Sequence, residues 1–301
     1  MESCYFSEWI PRYIQYLRMR NYSAKTLTSY EQSLKRFGYY IWLRRHMGNN
    51  DLKASWKDGD TLRLEVDVHI NSKEIGEYLT FITSFYSYQS TTLNRILSTL
   101  SSFYRYLTIQ EITPANPVPG IDRPKLKNKE ITYLKHSQVI RLLSTIEDPR
   151  DHLIFRTIYA TGLRVSELCS ITIEDIDFEE QTIRVVGKGG KIRVVFIDAQ
   201  TLSDMEQYIK NRIFGPVFIG QQNKPISPRT VQHIFKQYAP AGITPHKIRH
   251  SYASELYRRS KNLRVVQDNL GHASIRTTEV YLHTDLDERK QVYRDHFPLG
   301  K

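Results

Sequence analysis

Residues Thr113 to Lys129 constrain the architecture of this 301-residue chain more than any other stretch. Pro114, Pro117, Pro119 and Pro124 block any helix that would run through it, and Gly120 adds another break. Arg123, Lys125, Lys127 and Lys129 make its end basic. A stretch of this composition is stiff and extended, so it predicts a boundary. We read a helical domain over residues 1–112, a basic proline-rich linker over 113–129 and a second domain over 130–301. A surface loop of this length inside one domain would be unusual. The chain is long enough for two domains, each with its own core.

Before the boundary the apolar pattern is helical. Phe6, Trp9, Ile10, Tyr13, Ile14 and Leu17 form one stripe at the spacing of a helix face. Ser23 is a suitable N-cap for a second helix carrying Leu27, Tyr30, Leu34, Phe37 and Ile41. Asn71 and Ser90 are placed to cap a third and a fourth. Between the second and third, Leu62, Leu64, Val66 and Val68 alternate with Arg63, Glu65 and Asp67. That is the period of a strand, and Asp58-Gly59 before it is a turn signal, so a short β-ribbon is expected around residues 52–68. After the boundary, Ser137–Ser144 and Asp151–Thr161 have helical texture, and Gly162 interrupts before it resumes at Arg164–Cys169. Thr182–Val186 and Ile192–Ile197 flank Gly187-Lys188-Gly189-Gly190-Lys191, which predicts a β-hairpin with a glycine-rich tip.

Charge narrows the partner. The chain has 43 Lys+Arg against 32 Asp+Glu, a formal net charge of +11. Such a surplus favours a polyanion, either nucleic acid or anionic lipid. No run reaches the ~18–20 apolar residues of a membrane span, and Met1 to Tyr5 lacks the basic and apolar regions of a signal peptide. Cys4 and Cys169 are the only two cysteines. They do not make a disulfide framework and fit a reducing, cytoplasmic setting.

The chemistry concentrates after the boundary, in Thr161-Gly-Leu-Arg164-Val-Ser-Glu167-Leu, the hairpin tip with Lys188, Thr244-Pro245-His246-Lys-Ile-Arg249-His250, and Leu270-Gly271-His272 followed nine residues later by Tyr281. Arginine presents a planar fork suited to phosphate oxygens, and two such forks suit the extra charge of a pentacoordinate phosphorus. A tyrosine can attack phosphorus to give a phosphotyrosine. Its phenol is only about 0.1% ionised at pH 7, so its proton needs an acceptor or its phenolate needs neighbouring arginines. The leaving sugar oxygen needs a proton, which a lysine on a mobile hairpin can deliver. Thr244 as N-cap and Pro245 at the first helical position put His246 and Arg249 on one face of a helix opening. Gly271 suits a helix end.

These motifs, in this order and at these spacings, resemble the tyrosine site-specific recombinases, or phage-type integrases, and their bacterial Xer-like branch in particular. The resemblance implies a mainly α, two-domain fold: an N-terminal four-helix, SAM-like core-binding bundle and a C-terminal α+β catalytic domain with a small antiparallel sheet. It implies cleavage and rejoining of DNA through a 3′-phosphotyrosyl link and a Holliday junction, with no metal, ATP or other cofactor. Arg164 and Arg249 would clamp the scissile phosphate, and Lys188 would protonate the leaving 5′ oxygen. His246 and His272 would bond the phosphate and manage the proton of the nucleophile, Tyr281. Glu167 matches an acidic position that orients the site. The expected partner is double-stranded DNA with paired inverted core sites, bound by a homo-tetramer away from any membrane; a need for accessory proteins stays open. Arg123, Lys125, Lys127 and Lys129 would follow the duplex, while Lys191 reads as a solvated surface residue or a contact to the DNA backbone. Residues Glu288 to Lys301 would dock on a neighbouring protomer.

Two features depart from the family's pattern, the ribbon candidate and the form Thr277-Thr-Glu-Val-Tyr281-Leu-His283. Blander readings stand beside the sharp ones. Arg164 and Glu167 alone would be an ordinary helix-surface pair. The hairpin tip is no Walker loop, and His246 with His250 lacks the glutamate and third ligand of a zinc site. Cys169 lies on an apolar face and reads as core. A type IB topoisomerase and a non-enzymatic DNA binder on the same fold are the competing functions.

Overall fold

The stripe that opens the sequence forms α1 (Phe6–Met19), which buries Phe6, Trp9, Ile10, Tyr13, Ile14 and Leu17. The computed structural model describes residues 4–47, 56, 63–126, 132–187 and 190–271. The chain divides into two units, residues 1–129 and 130–301.

In the first unit, α1 is followed by α2 (Ala24–Met47), α3 (Ser72–Tyr86) and α4 (Ser90–Ile109). Ser23 Oγ accepts from the Thr26 amide at 3.2 Å, as an N-cap should. Asn71 makes a full capping box with Glu74 at the head of α3. Ser90 does not cap α4. The carbonyl of Gln89 takes the first helical bonds, from Thr92 and Leu93, so Ser90 is already inside the helix. The four helices meet on an aromatic core in which Phe6 lies edge-on to Phe37 at 5.7 Å and Tyr13 edge-on to Phe103 at 5.4 Å. Tyr104, fully enclosed, donates from its hydroxyl to the Val68 carbonyl at 3.0 Å.

The expected ribbon takes another form in its described part. Leu64, Val66 and Val68 are buried and alternate with exposed or half-buried Arg63, Glu65 and Asp67, so the period-two reading of faces holds. Their pairing partner, however, is the start of the chain. Phe6 and Ser7 amides donate to the Val66 and Leu64 carbonyls, the Val68 amide donates to Cys4, and Tyr5 bridges Asp67 antiparallel. Backbone groups buried beside α1 need partners, and residues 4–7 supply them. The remainder of the expected ribbon, apart from Trp56, lies outside the described residues.

The proline-rich stretch is fastened to the bundle as far as Pro124. Ser72 Oγ donates to the Pro117 carbonyl at 2.7 Å, Asn116 Nδ2 to Ser101 at 3.0 Å and Asn94 Nδ2 to Pro124 at 2.8 Å, while Val118 is buried.

The second unit runs α5 (His136–Leu143), α6 (Pro149–Thr161), α7 (Val165–Ser170), β1 (Ile176–Asp177), β2 (Thr182–Val186), β3 (Ile192–Phe196), α8 (Ala199–Ile209), α9 (Pro228–Tyr238), α10 (Pro245–Ser260) and α11 (Leu263–Leu270). Asp148 caps α6 by accepting from Asp151, and Pro149 occupies its first position. The strands form one antiparallel sheet in the order β1-β2-β3, with Ile183 opposite Val195 and Val185 opposite Arg193. Ile183, Val185 and Val195 face the core, where Phe155 of α6 stacks on Phe235 of α9 with ring centres 3.8 Å apart. Cys169 is buried in this core, which raises its thiol pKa to about 11. α6 lies against α8 and α10, and its end is where the functional residues begin.

Tyr104→Phe removes the donor to a buried carbonyl. It is expected to lower unfolding free energy by about 1–3 kcal/mol, read from urea melts. An unchanged midpoint would show that the bond contributes nothing.

Candidate active site

Gly162 ends α6 with φ +66°, and a Cβ there would lie 2.4 Å from Tyr252 Cδ1. Only glycine lets the chain turn so sharply against α10. The turn delivers Arg164 as the N-cap of α7 and Glu167 one turn later. Glu167 Oε2 accepts from the Arg164 amide at 2.8 Å, which is the carboxylate half of a capping box. Its Oε1 accepts from Arg164 Nη1 at 2.8 Å. Gly271 ends α11 in the same left-handed way, at φ +60°.

The two helix ends converge on Arg249. From the first turns of α10 its guanidinium donates Nη1 to the Gly162 carbonyl and Nη2 to the Leu270 carbonyl, both at 2.6 Å. Nη1 is 3.7 Å from Glu167 Oε2, and the side chain is 2% exposed. Helix C-termini carry partial negative charge, so two of them beside a carboxylate compensate a buried cation. Arg164 is the accessible partner, with 37% of its side chain exposed.

His246 lies one turn before Arg249 on the same helix and is exposed at its surface. Partial desolvation and the charges of Arg249 and Arg164 hold its pKa below the usual 6.5. Its Nε2 is 3.2 Å from Nε2 of His250, whose pKa falls to about 4, first through burial and then through His246, Arg249 and Lys247. Burial acts against ionisation of Glu167, but bonds from Arg193 and Arg164 outweigh it and lower its pKa to about 2.

Thus Arg164, Glu167, Arg249 and His246 come together, although they stand on two separate motifs. Lys191 is exposed at the base of the hairpin turn, where its carbonyl accepts from the Gly187 amide at 2.7 Å. Arg123 and Lys125 are exposed on the first unit, with Arg123 Nη1 donating to Ser98 Oγ. Lys188, His272 and Tyr281 lie outside the described residues, as do Lys127 and Lys129.

One participant escaped sequence reasoning. Arg193, on β3, donates Nη1 to Glu167 Oε1 at 2.9 Å and Nη2 to Oε2 at 2.8 Å. Its Nε donates to the Asn269 carbonyl at 3.0 Å. Alternation along Ile192–Phe196 invites the opposite orientation, with the apolar residues inward. Here Ile192, Val194 and Phe196 are exposed, and Arg193 and Val195 point in.

Comparisons with known proteins identify the family. The phage integrase family matches residues 132–288. Tyrosine recombinase XerC of Halalkalibacterium halodurans is 31% identical over 314 residues, covering 97% of each chain. Tyrosine recombinase XerD of Shewanella oneidensis is 31% identical over 92% of each chain. Among solved structures, the Tn1549 transposon integrase in complex with a circular intermediate DNA has a TM-score of 0.72 at 18% identity, covering 97% of this chain and 99% of that one. A lambda integrase dimer bound to a COC′ core site has a TM-score of 0.68 at 21% identity, covering 91% and 97%. The chain belongs to the phage integrase family, as a tyrosine recombinase of the Xer-like branch. It is a site-specific DNA recombinase, which cleaves and rejoins strands through a phosphotyrosyl intermediate and a Holliday junction. Among the described residues no helix is long and apolar enough to cross a membrane.

The shifted groups set an acid response. An unfolded histidine binds its proton near 6.5 but His250 in the fold only near 4, so acidification across that window favours the unfolded chain. Glu167 contributes stability that is present above the ordinary 4.5 and is lost as pH falls toward about 2. Thermal midpoints are therefore expected to fall in two stages on acidification, with Glu167→Gln flattening the lower one. A wild-type midpoint that stays level across both windows would contradict these environments.

Proposed function

We infer that Arg164 and Arg249 hold the scissile phosphate, with His246 as a third donor. The observation carrying this reading is the convergence of both guanidiniums on Glu167 beside His246. Three arginine side chains surround one carboxylate, so positive charge is in excess where a phosphodiester would gain negative charge in the transition state. Arg249, anchored by two backbone carbonyls, cannot swing, and it fixes the site without reorganisation during the reaction.

In this reading the Tyr281 hydroxyl attacks phosphorus. The new bond joins the tyrosine oxygen to the 3′ phosphate, and the bond to the 5′ oxygen breaks. Lys188 gives that oxygen its proton, and His272 and His246 handle the phenolic proton. A phosphotyrosine exchanges one phosphodiester for another, so the energy for rejoining is retained and no ATP or metal is required. The 5′ hydroxyl of a partner strand reverses the step and completes the exchange.

The first unit clamps double-stranded DNA as a core-binding domain. Arg123, Lys125, Lys127 and Lys129 follow the duplex, and Lys191 meets its backbone. Contacts of this kind release counterions and make binding salt-dependent. Four protomers act on paired inverted core sites in the cytoplasm, with the tail from Glu288 docking between protomers.

The test is covalent capture. Protein is mixed with fragmented DNA in EDTA, denatured, and the attached DNA sequenced. A discrete, enriched site is expected from the wild type. Tyr281→Phe is expected to bind DNA and yield no adduct, and Arg164→Ala to slow adduct formation by about 10²–10³-fold. An adduct from Tyr281→Phe would remove Tyr281 from the role of nucleophile. Salt-dependent binding by the wild type with no adduct would favour a non-catalytic DNA binder.

A further inference from the structure

Glu167 has room for about four hydrogen bonds, two on each oxygen. All four positions are filled. Oε1 takes Arg164 Nη1 and Arg193 Nη1, and Oε2 takes the Arg164 amide and Arg193 Nη2. Arg193 therefore holds half of the carboxylate, in the bidentate geometry arginine prefers. Arg164 is left to touch it with a single side-chain nitrogen.

Arg193 is itself locked in place. Its Nε is bonded to Asn269 in the last turn of α11, and only 13% of its side chain is exposed. A Cβ on Gly271 would lie 2.9 Å from Arg193 Cδ, so the bare glycine makes space for the arginine stem. The residue spends an inward position of β3 on a charge, while Ile192 and Val194 on either side of it face solvent. Such an arrangement is unfavourable unless the buried charge has a task or a partner.

We propose that Arg193 is a positioning residue for recombination: by occupying half of Glu167, it keeps the carboxylate from capturing the Arg164 fork, which stays turned toward the phosphate. Without Arg193, two acceptor positions open beside Arg164. Its guanidinium can then close onto Glu167 in a bidentate pair and leave the substrate. Arg193 acts through Glu167 and does not itself touch DNA.

This rests on the assignment of Arg164 to the phosphate, and it makes an unusual genetic forecast. Arg193→Met is expected to slow adduct formation about 10- to 100-fold, the range seen for groups that orient metal ligands. DNA binding, read by gel shift at fixed salt, is expected to hold. Adding Glu167→Gln to Arg193→Met removes the carboxylate that captures Arg164, and about tenfold of the loss is expected to return. A role in stability alone predicts that the second substitution adds to the damage. A double variant as slow as Arg193→Met, or an Arg193→Met enzyme as fast as wild type, overturns the proposal.

A readout without DNA separates this from the catalytic assignment. The side-chain ¹⁵N resonances of Arg164, identified with Arg164→Lys, are expected to shift in Arg193→Met and to move back in the double variant, while the backbone amide spectrum stays folded. If the wild type forms no adduct, the catalytic assignment falls and this spectrum still decides whether Arg193 controls Arg164. Resonances unmoved by Arg193→Met overturn the proposal.

Discussion

A single buried carboxylate, Glu167, organises the catalytic unit. It is 4% exposed and is paired to Arg164 and Arg193 at 2.8 Å, with Arg249 at 3.7 Å. Burying a carboxylate is costly, and breaking such a pair by removing one partner typically costs about 3–5 kcal/mol. Here the cost is offset by saturation of its acceptor positions. The same network joins elements far apart in sequence: the head of α7, strand β3 and the opening of α10. One negative charge among three positive ones leaves an excess suited to an anionic substrate.

Backbone geometry does the rest. Gly162 and Gly271 end two helices in the left-handed region, and the carbonyls there converge on Arg249. Each glycine also admits a neighbour, Tyr252 in one case and Arg193 in the other. The glycines in Thr-Gly-Leu-Arg and Leu-Gly-His are therefore steric requirements of the site. A side chain at either would push away a group that holds it together.

Local signals were legible where one element decided the outcome. The stripe of α1, the Asn71 cap and the glycine-rich hairpin could be read from spacing and turn chemistry. From spacing alone, the pairing of Arg164 with Glu167 reads as an ordinary i, i+3 contact, and only the family resemblance gives Glu167 a role in the site. That Arg249 joins them depends on two helix ends meeting, which no spacing reveals. Two features are decided by residues distant in sequence. Leu64 to Val68 pair with the chain start, since residues 4–7 lie where their backbone needs partners. Arg193 points inward because Glu167 waits there, against the alternation of its strand. A charged residue on the inward face of a strand was the one available clue, and it is informative only once an acceptor is known.

The most direct measurement is the ionisation of Glu167 itself, followed by ¹³C carboxylate resonances in glutamate-labelled protein and assigned with Glu167→Gln. An ordinary glutamate is mostly protonated by about pH 3.5. Held by Arg193 and Arg164, Glu167 is expected to remain ionised there, with its midpoint near 2 or no titration before the fold is lost. A midpoint near 4.5 in the folded protein would mean that the carboxylate is not gripped by these arginines, and that the site is organised by something else.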